Sequence, residues 1–358
     1  MRVAHLVSAL HEGGIERLLI AMSRHWDHSD VATEVWVLNS DSIPQYIREL
    51  TSSGVLVRSI GNRPREKLQF RLPAWLKRDA VKNDICVVHS HTPYPLAIVT
   101  IARCFLGARF RHVHHQHGLA TDEQKWLWRV LGKVGAPDRV IAVSGWVRDR
   151  LIDDFPFLRD RIVVVHNGVE PPDRELVRPI TRTRELFAAS RLVPFKNMGL
   201  LLDAFAIARA DCSDIRLTVL GDGIQRDDLE RKAKALGMDC CVSFRGYVLE
   251  PEQYFRDLDI FVLPSLYEPF GLSLLEAMSW GRACIATSVG GTAEFMDDNQ
   301  NGLLVSAVDP KEMAQAILKL ANDLSLAQRL GMNGRQTSER LTVSATVSQI
   351  QEVYRGLV

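Results

Sequence analysis

Short apolar runs alternate along the chain with longer stretches whose apolar positions recur every three or four residues. The first half carries such runs at 3–7, 34–38, 55–60, 85–89, 110–114, 140–143 and 162–165. Runs this short and apolar predict strands buried on both faces. Helix-length amphipathic segments lie between them, for example 15–25 and 96–106. The rhythm stops at Pro171-Pro-Asp-Arg-Glu-Leu-Val-Arg-Pro179, where clustered prolines and mixed charge mark a linker. It restarts with runs at 186–189, 217–220, 242–244, 260–263, 283–286 and 303–305. Strands that alternate with helices build βαβ units and parallel sheets. Two such series predict an α/β protein of two Rossmann-like doubly wound domains. The expected bounds are 1–172 for the first domain, 173–184 for the linker and 185–340 for the second. A C-terminal helix at 341–358 can cross back to the first domain.

Some helix ends are legible. Asp309-Pro-Lys-Glu312 supplies an N-cap, a proline at the first helical position and an acid in the first turn. Met313, Ala314, Ile317, Leu318, Leu320 and Ala321 then form one apolar stripe, so that helix is structural. Gly331-Met-Asn-Gly334 reads as a break before a last helix near 344–354.

Composition narrows the function classes. The chain has 358 residues, enough for two domains, with 46% hydrophobic and 24% charged residues, which is globular and not disordered. A formal charge of +1 gives no global field that would select nucleic acid or membrane. The first residues do not resemble a secretory signal, and no apolar run approaches the ~20 residues of a membrane-spanning helix. The six cysteines show no metal or disulfide spacing, so reduced thiols and a cytoplasmic protein are expected.

The most informative chemistry is Glu268-Pro-Phe-Gly-Leu-Ser-Leu-Leu-Glu276. A buried strand at 260–263 precedes it, and a helix closed by Gly281 follows. Glu268 therefore sits on the loop at a strand's C-terminal end, and Glu276 in the first turns of the helix. Open α/β sheets bind ligands at that edge. Free amides of Gly271, Leu272 and Ser273 would make an anion site there. Carboxylates that accept sugar hydroxyls, beside amides that hold phosphate, suit a nucleotide-activated sugar.

Ser190-Arg-Leu-Val-Pro-Phe-Lys-Asn197 is the turn after the second domain's first strand. Arg191 and Lys196 there either reach a diphosphate or are a solvated surface pair. Fixed cations beside a departing phosphate stabilise the transition state more than the ground state. Gly13-Gly-Ile-Glu16 follows the first strand and opens the first helix. It is either a plain turn or a place where backbone approaches a ligand, and it is not a full dinucleotide fingerprint.

Arg111-His-Val-His-His-Gln-His-Gly118 packs four imidazoles into six residues. On a strand, His115 and His117 face one way and His112 and His114 the other. Zinc needs converging ligands, so no metal site is expected from this run. His117, at the strand's end beside Gly118, is the candidate contact to a sugar. The segment 63–78 is locally basic, with Leu68, Phe70, Leu72, Trp75 and Leu76 interleaved. It reads either as a patch resting on anionic lipid or as a helix whose apolar face is core.

Taken together, these motifs resemble the large retaining glycosyltransferase family 4, with the GT-B fold of two Rossmann-like domains facing across a cleft. The resemblance spans nearly the whole chain. It is strongest at Ala189-Ser-Arg-Leu-Val-Pro-Phe-Lys196, Val219-Leu-Gly-Asp-Gly223, Phe244-Arg-Gly-Tyr-Val248, 264–272 through Glu276-Ala-Met278, and Val289-Gly-Gly291. In the first half Gly13-Gly-Ile-Glu16, His117-Gly118, Ala142-Val-Ser144 and Asn167-Gly-Val169 also match. Pro269, Trp280 and Asp298-Asn299 depart from the usual pattern without removing a functional group.

The resemblance implies a role for each matching residue. Arg191 and Lys196 would clamp the donor diphosphate, Glu268 the sugar hydroxyls and Glu276 the ribose. Backbone amides of Phe270, Gly271 and Leu272 would meet sugar and phosphate, and Val248 the base. Gly13 and Gly14 would allow close approach to the phosphates, and His117 would contact the transferring sugar. It also implies retention at the anomeric carbon by front-face substitution, a UDP- or GDP-linked donor, and no cofactor or required metal. The acceptor would be a glycan or glycolipid of a bacterial cell surface, such as lipopolysaccharide. A peripheral site at the inner face of the cytoplasmic membrane would suit such an acceptor. An epimerase of nucleotide sugars and a catalytically silent sugar-nucleotide-binding subunit are the competing readings.

Overall fold

The computed structural model describes residues 1–358 except 12, 28, 40, 41 and 60–70, and except the side chains at 123, 131, 133 and 134. The chain divides into two compact units, one of residues 1–167 with 343–358 and one of 168–342. The divisions fall at Asn167/Gly168 and Thr342/Val343.

The first unit holds strands β1 (Arg2–Val7), β2 (Ala32–Val37), β3 (Leu56–Ser59), β4 (Val87–Ser90), β5 (Arg111–Gln116), β6 (Arg139–Ala142) and β7 (Ile162–Val164). They form one sheet in the order β3-β2-β1-β4-β5-β6-β7, and every pairing is parallel. The second unit holds β8 (Glu185–Ala189), β9 (Arg216–Leu220), β10 (Val242–Phe244), β11 (Ile260–Leu263), β12 (Ala283–Thr287) and β13 (Leu303–Val305). Its sheet runs β10-β9-β8-β11-β12-β13, again parallel throughout. Each sheet reverses its strand order once, between β1 and β4 and between β8 and β11. Those reversals are the switch points where doubly wound sheets open a crevice at their C-terminal edge.

All thirteen expected strands form, with ends shifted by a few residues at most. β5 runs on to Gln116, which places His115 inside the strand. In the first sheet Ala4, Leu6 and Val88 pack under helices Leu72–Lys82 and Pro93–Cys104. The opposite face lies under helix Val343–Arg355, which belongs to this unit and packs beside helix Gly14–Ser23. In the second unit helices Met198–Asp211 and Pro310–Asn322 cover the sheet. Asp309 caps the latter by accepting from the amides of Lys311 and Glu312, and Met313, Ile317 and Leu320 are fully buried.

One expected break is absent. Helix Leu324–Ser338 runs straight through Gly331 and Gly334. A Cβ at Gly331 would lie 2.3 Å from the Gly281 carbonyl oxygen, so this glycine serves close packing of helix against loop. Among the described residues, the six cysteines form no disulfide.

Part of the basic segment lies outside the described residues, namely 63–70. In 71–78, Leu72 and Leu76 are buried in the core and Trp75 packs against it. The apolar groups proposed for lipid contact in this portion therefore face inward. Arg71 and Arg78 are exposed. Among the described residues, no helix is long and apolar enough to cross a membrane.

Candidate active site

The second unit's switch point gathers two loops. The loop after β8 makes a short 3-10 turn, Pro194–Lys196, and Asn197 in the left-handed region starts the next helix. The loop after β11 carries Ser265 to Gly271. Leu266 donates its amide to the Phe195 carbonyl at 2.8 Å, and the Phe195 and Tyr267 rings stack with centroids 4.7 Å apart. Two loops distant along the chain are thus locked to each other by backbone and by rings.

That lock brings Lys196 onto Glu268. Lys196 Nζ lies 2.5 Å from Glu268 Oε2, and the two side chains are only 14% and 8% exposed. Ser265 Oγ donates to the same carboxylate oxygen at 3.1 Å. Ionised groups leave water at a large cost unless they are paired and hydrogen-bonded, and here both conditions are met. Both cations lie near the Phe195 ring, Arg191 at 5.9 Å and Lys196 at 5.7 Å from its centroid. Arg191 is exposed.

The Glu268 peptide is held as firmly as its side chain. Its carbonyl accepts from the Gly291 amide at 2.8 Å. Gly290 has φ +63°, and a Cβ there would fall 2.0 Å from the Glu268 carbonyl oxygen, so both conformation and space demand glycine. Phe270 is buried. Gly271 occupies the N-cap of helix Leu272–Ser279 without a side-chain cap. Glu276 is half-buried on the same side as Leu272 and Ser273, while Leu274, Leu275, Ala277 and Met278 point into the core. Val248 is half-buried on the loop after the edge strand β10, where Gly246 bridges Gly221 beyond β9. A paired cation and carboxylate beside an uncapped helix start can accept sugar hydroxyls and hold phosphate oxygens.

At the first unit's switch point the groups are neutral. Gly13 is the N-cap of helix Gly14–Ser23 in extended backbone, and Gly14 is exposed at its first position. A Cβ at Gly13 would meet only the movable end of Glu16. The histidines separate by face as their alternation predicts. His112 Nε2 and His114 Nδ1 share Ser90 Oγ, each at 2.9 Å, and His114 also meets Gln116 and Gln124. His115 and His117 occupy the other face with rings stacked 4.0 Å apart.

Convergence, which one strand could not reveal, comes from the neighbouring strands. His5 on β1 and His89 on β4 are register partners. His91, two positions beyond His89, joins the same face. His5 Nδ1 lies 2.9 Å from His91 Nε2, and His91 Nδ1 lies 3.0 Å from His117 Nε2. The Tyr354 hydroxyl meets both His89 Nδ1 and His5 Nε2. His5, His89, His91 and His115 are buried and His117 is half-buried. Desolvation holds all of them below the ordinary imidazole range, with His5 and His117 lowered to about 3. His5, His89 and His91 escaped the sequence reading because they belong to other strands, well before the run at 111–118. The matching phase of His89-Ser-His91 and His115-Gln-His117 is the signal that points to them.

A sequence profile described as "Glycosyltransferase Family 4" matches residues 12–172, and one described as "Glycosyl transferases group 1" matches residues 183–323. The chain belongs to the family 4 glycosyltransferases. It is an enzyme of GT-B fold. A D-inositol 3-phosphate glycosyltransferase of Streptomyces avermitilis is 27% identical over 99% of this chain and 87% of its own length. The lipopolysaccharide core biosynthesis glycosyltransferase LpsE of Rhizobium meliloti is 32% identical over 54% of each chain. Among solved structures, Anabaena HepE in complex with UDP and glucose superimposes with a TM-score of 0.84 over 99% of this glycosyltransferase and 100% of HepE, at 22% identity. The β8/β11 switch point and every motif at 189–196, 219–223, 244–248, 264–278 and 289–291 fall within the region 183–323.

Proposed function

We propose that this glycosyltransferase moves a hexosyl or N-acetylhexosaminyl group from a nucleotide diphosphate sugar to a hydroxyl of a glycan or glycolipid, with retention. The observation that carries this reading is the buried Lys196–Glu268 pair at the β8/β11 switch point. A lysine held in place by a carboxylate is a preorganised charge, which needs little rearrangement when negative charge develops beside it. Lys196 and Arg191 take the diphosphate oxygens, and Glu268 accepts sugar hydroxyls. Glu276 takes the ribose, Val248 the base, and the amides of Phe270, Gly271 and Leu272 meet sugar and phosphate. Gly13, Gly14 and His117 keep the roles that the family resemblance implies.

Front-face substitution accounts for retention without a protein nucleophile. The bond from the anomeric carbon to the β-phosphate oxygen breaks, and the acceptor oxygen bonds to the same face of that carbon. The acceptor proton passes to the departing phosphate, and the nucleoside diphosphate leaves. The two cations take the charge, so this transfer needs no metal. UDP-sugars are the first donors to test, because HepE is described in complex with UDP and with UDP-glucose.

The relatives favour two acceptor classes. LpsE supports a lipopolysaccharide core, whereas the name D-inositol 3-phosphate glycosyltransferase supports a small phosphorylated polyol. Nucleoside diphosphate release is to be measured for a panel of donors, with a glycolipid, with inositol phosphate and without acceptor. Release that requires an acceptor, with an α-linked product from an α-linked donor by NMR, is the expected result. Interconversion of donors without an acceptor would replace this reading by an epimerase, and no turnover with any donor would replace it by a silent subunit. For a lipid-linked acceptor, flotation with anionic liposomes checks whether the protein works at a membrane surface.

A further inference from the structure

We propose that Gln116 and Gln124 are positioning residues for sugar transfer, which hold the Gly118 carbonyl and thereby set the turn that carries His117. The inference rests on the reading of His117 as a sugar contact. Gln116 ends β5 on the face opposite His117, and Gln124 lies in the first turn of helix Asp122–Gly135. The two side chains are buried, at 4% and 1% exposure. Their carboxamides pair reciprocally. Gln124 Nε2 donates to Gln116 Oε1 at 2.5 Å, and Gln116 Nε2 donates to Gln124 Oε1 at 3.2 Å. The second N–H of Gln116 goes to the Gly118 carbonyl at 2.7 Å.

That bond is the anchor of the turn. Among the described residues, the backbone of Gly118, Leu119 and Ala120 makes no other hydrogen bond. A segment without ladder bonds shifts readily unless something ties it down. The His117 ring is steadied by the His115 ring, stacked at 4.0 Å, and by His91 Nδ1 at 3.0 Å. The peptide that follows His117 is tied from the other side of the sheet.

The pair is itself held in one orientation. Thr121, the helix N-cap, accepts the Gln124 amide at 3.3 Å. The second N–H of Gln124 donates to His114 Nε2 at 3.0 Å. Burial lowers His114 to about 4, so its ring is neutral at physiological pH and offers a lone pair there. His114 Nδ1–H then donates to Ser90 Oγ, and Ser90 donates to His112 Nε2, each at 2.9 Å. Both carboxamides thus use every N–H that they carry. A flipped Gln116 would set its oxygen against the Gly118 carbonyl. Buried amide bonds add little net stability over apolar residues of the same shape, and they cost much when half made. A complete polar set here fixes geometry more than it strengthens the core. Sugar transfer depends on that geometry, because a contact misplaced by about 1 Å loses on the order of 10²-fold in rate.

The test replaces the pair by unbranched apolar side chains of similar length, Gln116→Met/Gln124→Met, with folding checked by circular dichroism. Without substrate, the imidazole NMR signals of His117 should move in this variant, and those of His25 and His166 should stay. This readout holds whichever donor the enzyme takes. With UDP-glucose as donor and water or inositol phosphate as acceptor, kcat for UDP release should fall about 10–100-fold. In a His117→Ala background the same replacement should cost less than about twofold, because the pair acts through His117. Gln124→Met alone keeps the Gly118 bond but frees the Gln116 carboxamide. It should give a smaller loss with the same dependence on His117, and it takes over the test if the double variant does not fold. His117 signals that stay in place, an unchanged kcat, or equal losses with and without His117 would each overturn the positioning role alone. Full turnover by His117→Ala would instead overturn the sugar contact on which that role rests.

Discussion

The two units solve the same topological problem with opposite chemistry. Each winds a parallel sheet outward from one switch point. At β8/β11 the second unit sets a lysine against a glutamate, and at β1/β4 the first unit stacks imidazoles under a tyrosine. The division extends to composition, because all eleven histidines of the sequence lie at or before His166 and none lies in 168–342. A sheet edge therefore does not dictate the polarity of what gathers there. Charged pairs suit a ligand that brings formal charge, such as a diphosphate. Neutral rings offer hydrogen bonds without a net field, which suits hydroxyls.

The largest test of this contrast is acid. His5 is lowered to about 3 and His114 to about 4 by burial, and His89, His91, His112, His115 and His117 are depressed too. In the unfolded chain each titrates near the ordinary value of ~6.5. Between these values the unfolded state binds more protons, so the stabilisation is complete above about pH 6.5 and is lost as pH falls towards 4 and 3. Each such histidine costs about 1.4 kcal/mol per pH unit in that window. Hydrogen exchange should show the first unit opening at a higher pH than the second. Simultaneous opening would break the comparison.

Next in size is the clamp. Lys196→Ala should lower kcat by about 10²–10³-fold and, by stranding buried Glu268, destabilise the second unit by roughly 3 kcal/mol. The double variant Lys196→Ala/Glu268→Gln should recover much of the stability and none of the turnover, as urea unfolding and steady-state kinetics will show. Recovery of both would make the pair structural only. Gly290→Ala should cost about 2–3 kcal/mol and depress turnover, because the new Cβ displaces the Glu268 carbonyl. The smallest effect is expected in the first unit, where Tyr354→Phe removes the hydroxyl shared by His89 and His5. A loss of about 1–3 kcal/mol, confined by hydrogen exchange to residues of the first unit, is the expected outcome.

Much of this architecture could be read from local pattern, and the misses have a common cause. Strand periodicity is local, so all thirteen strands were legible, whereas the two switch points follow from the sheet order, which no local pattern carries. Glu268, Lys196 and Arg191 could be named from their loops, but the Phe195–Tyr267 stack and the Leu266–Phe195 backbone contact that seat them depend on which loops the sheet order brings together. The imidazole group depends on strand neighbours far apart in sequence, His5 and His89, which no short window along the chain contains. Gly331 misled for the same reason. Its meaning lies in the Gly281 carbonyl, a contact from a distant loop, and not in the helix that it was expected to end.

The return of helix Val343–Arg355 to the first sheet has a bearing on how the protein is made. Because Tyr354 closes over His5 and His89, the unit begun first on the ribosome is the one completed last. The intervening 168–342 segment, whose ends meet where Val169 pairs with Thr342 and donates its amide to Leu341, can finish folding beforehand as a self-contained insert. Until residue 354 emerges, His5 and His89 lack the hydroxyl that closes over them. Nascent chains stalled short of that point should hold a mature second lobe and an unfinished first one.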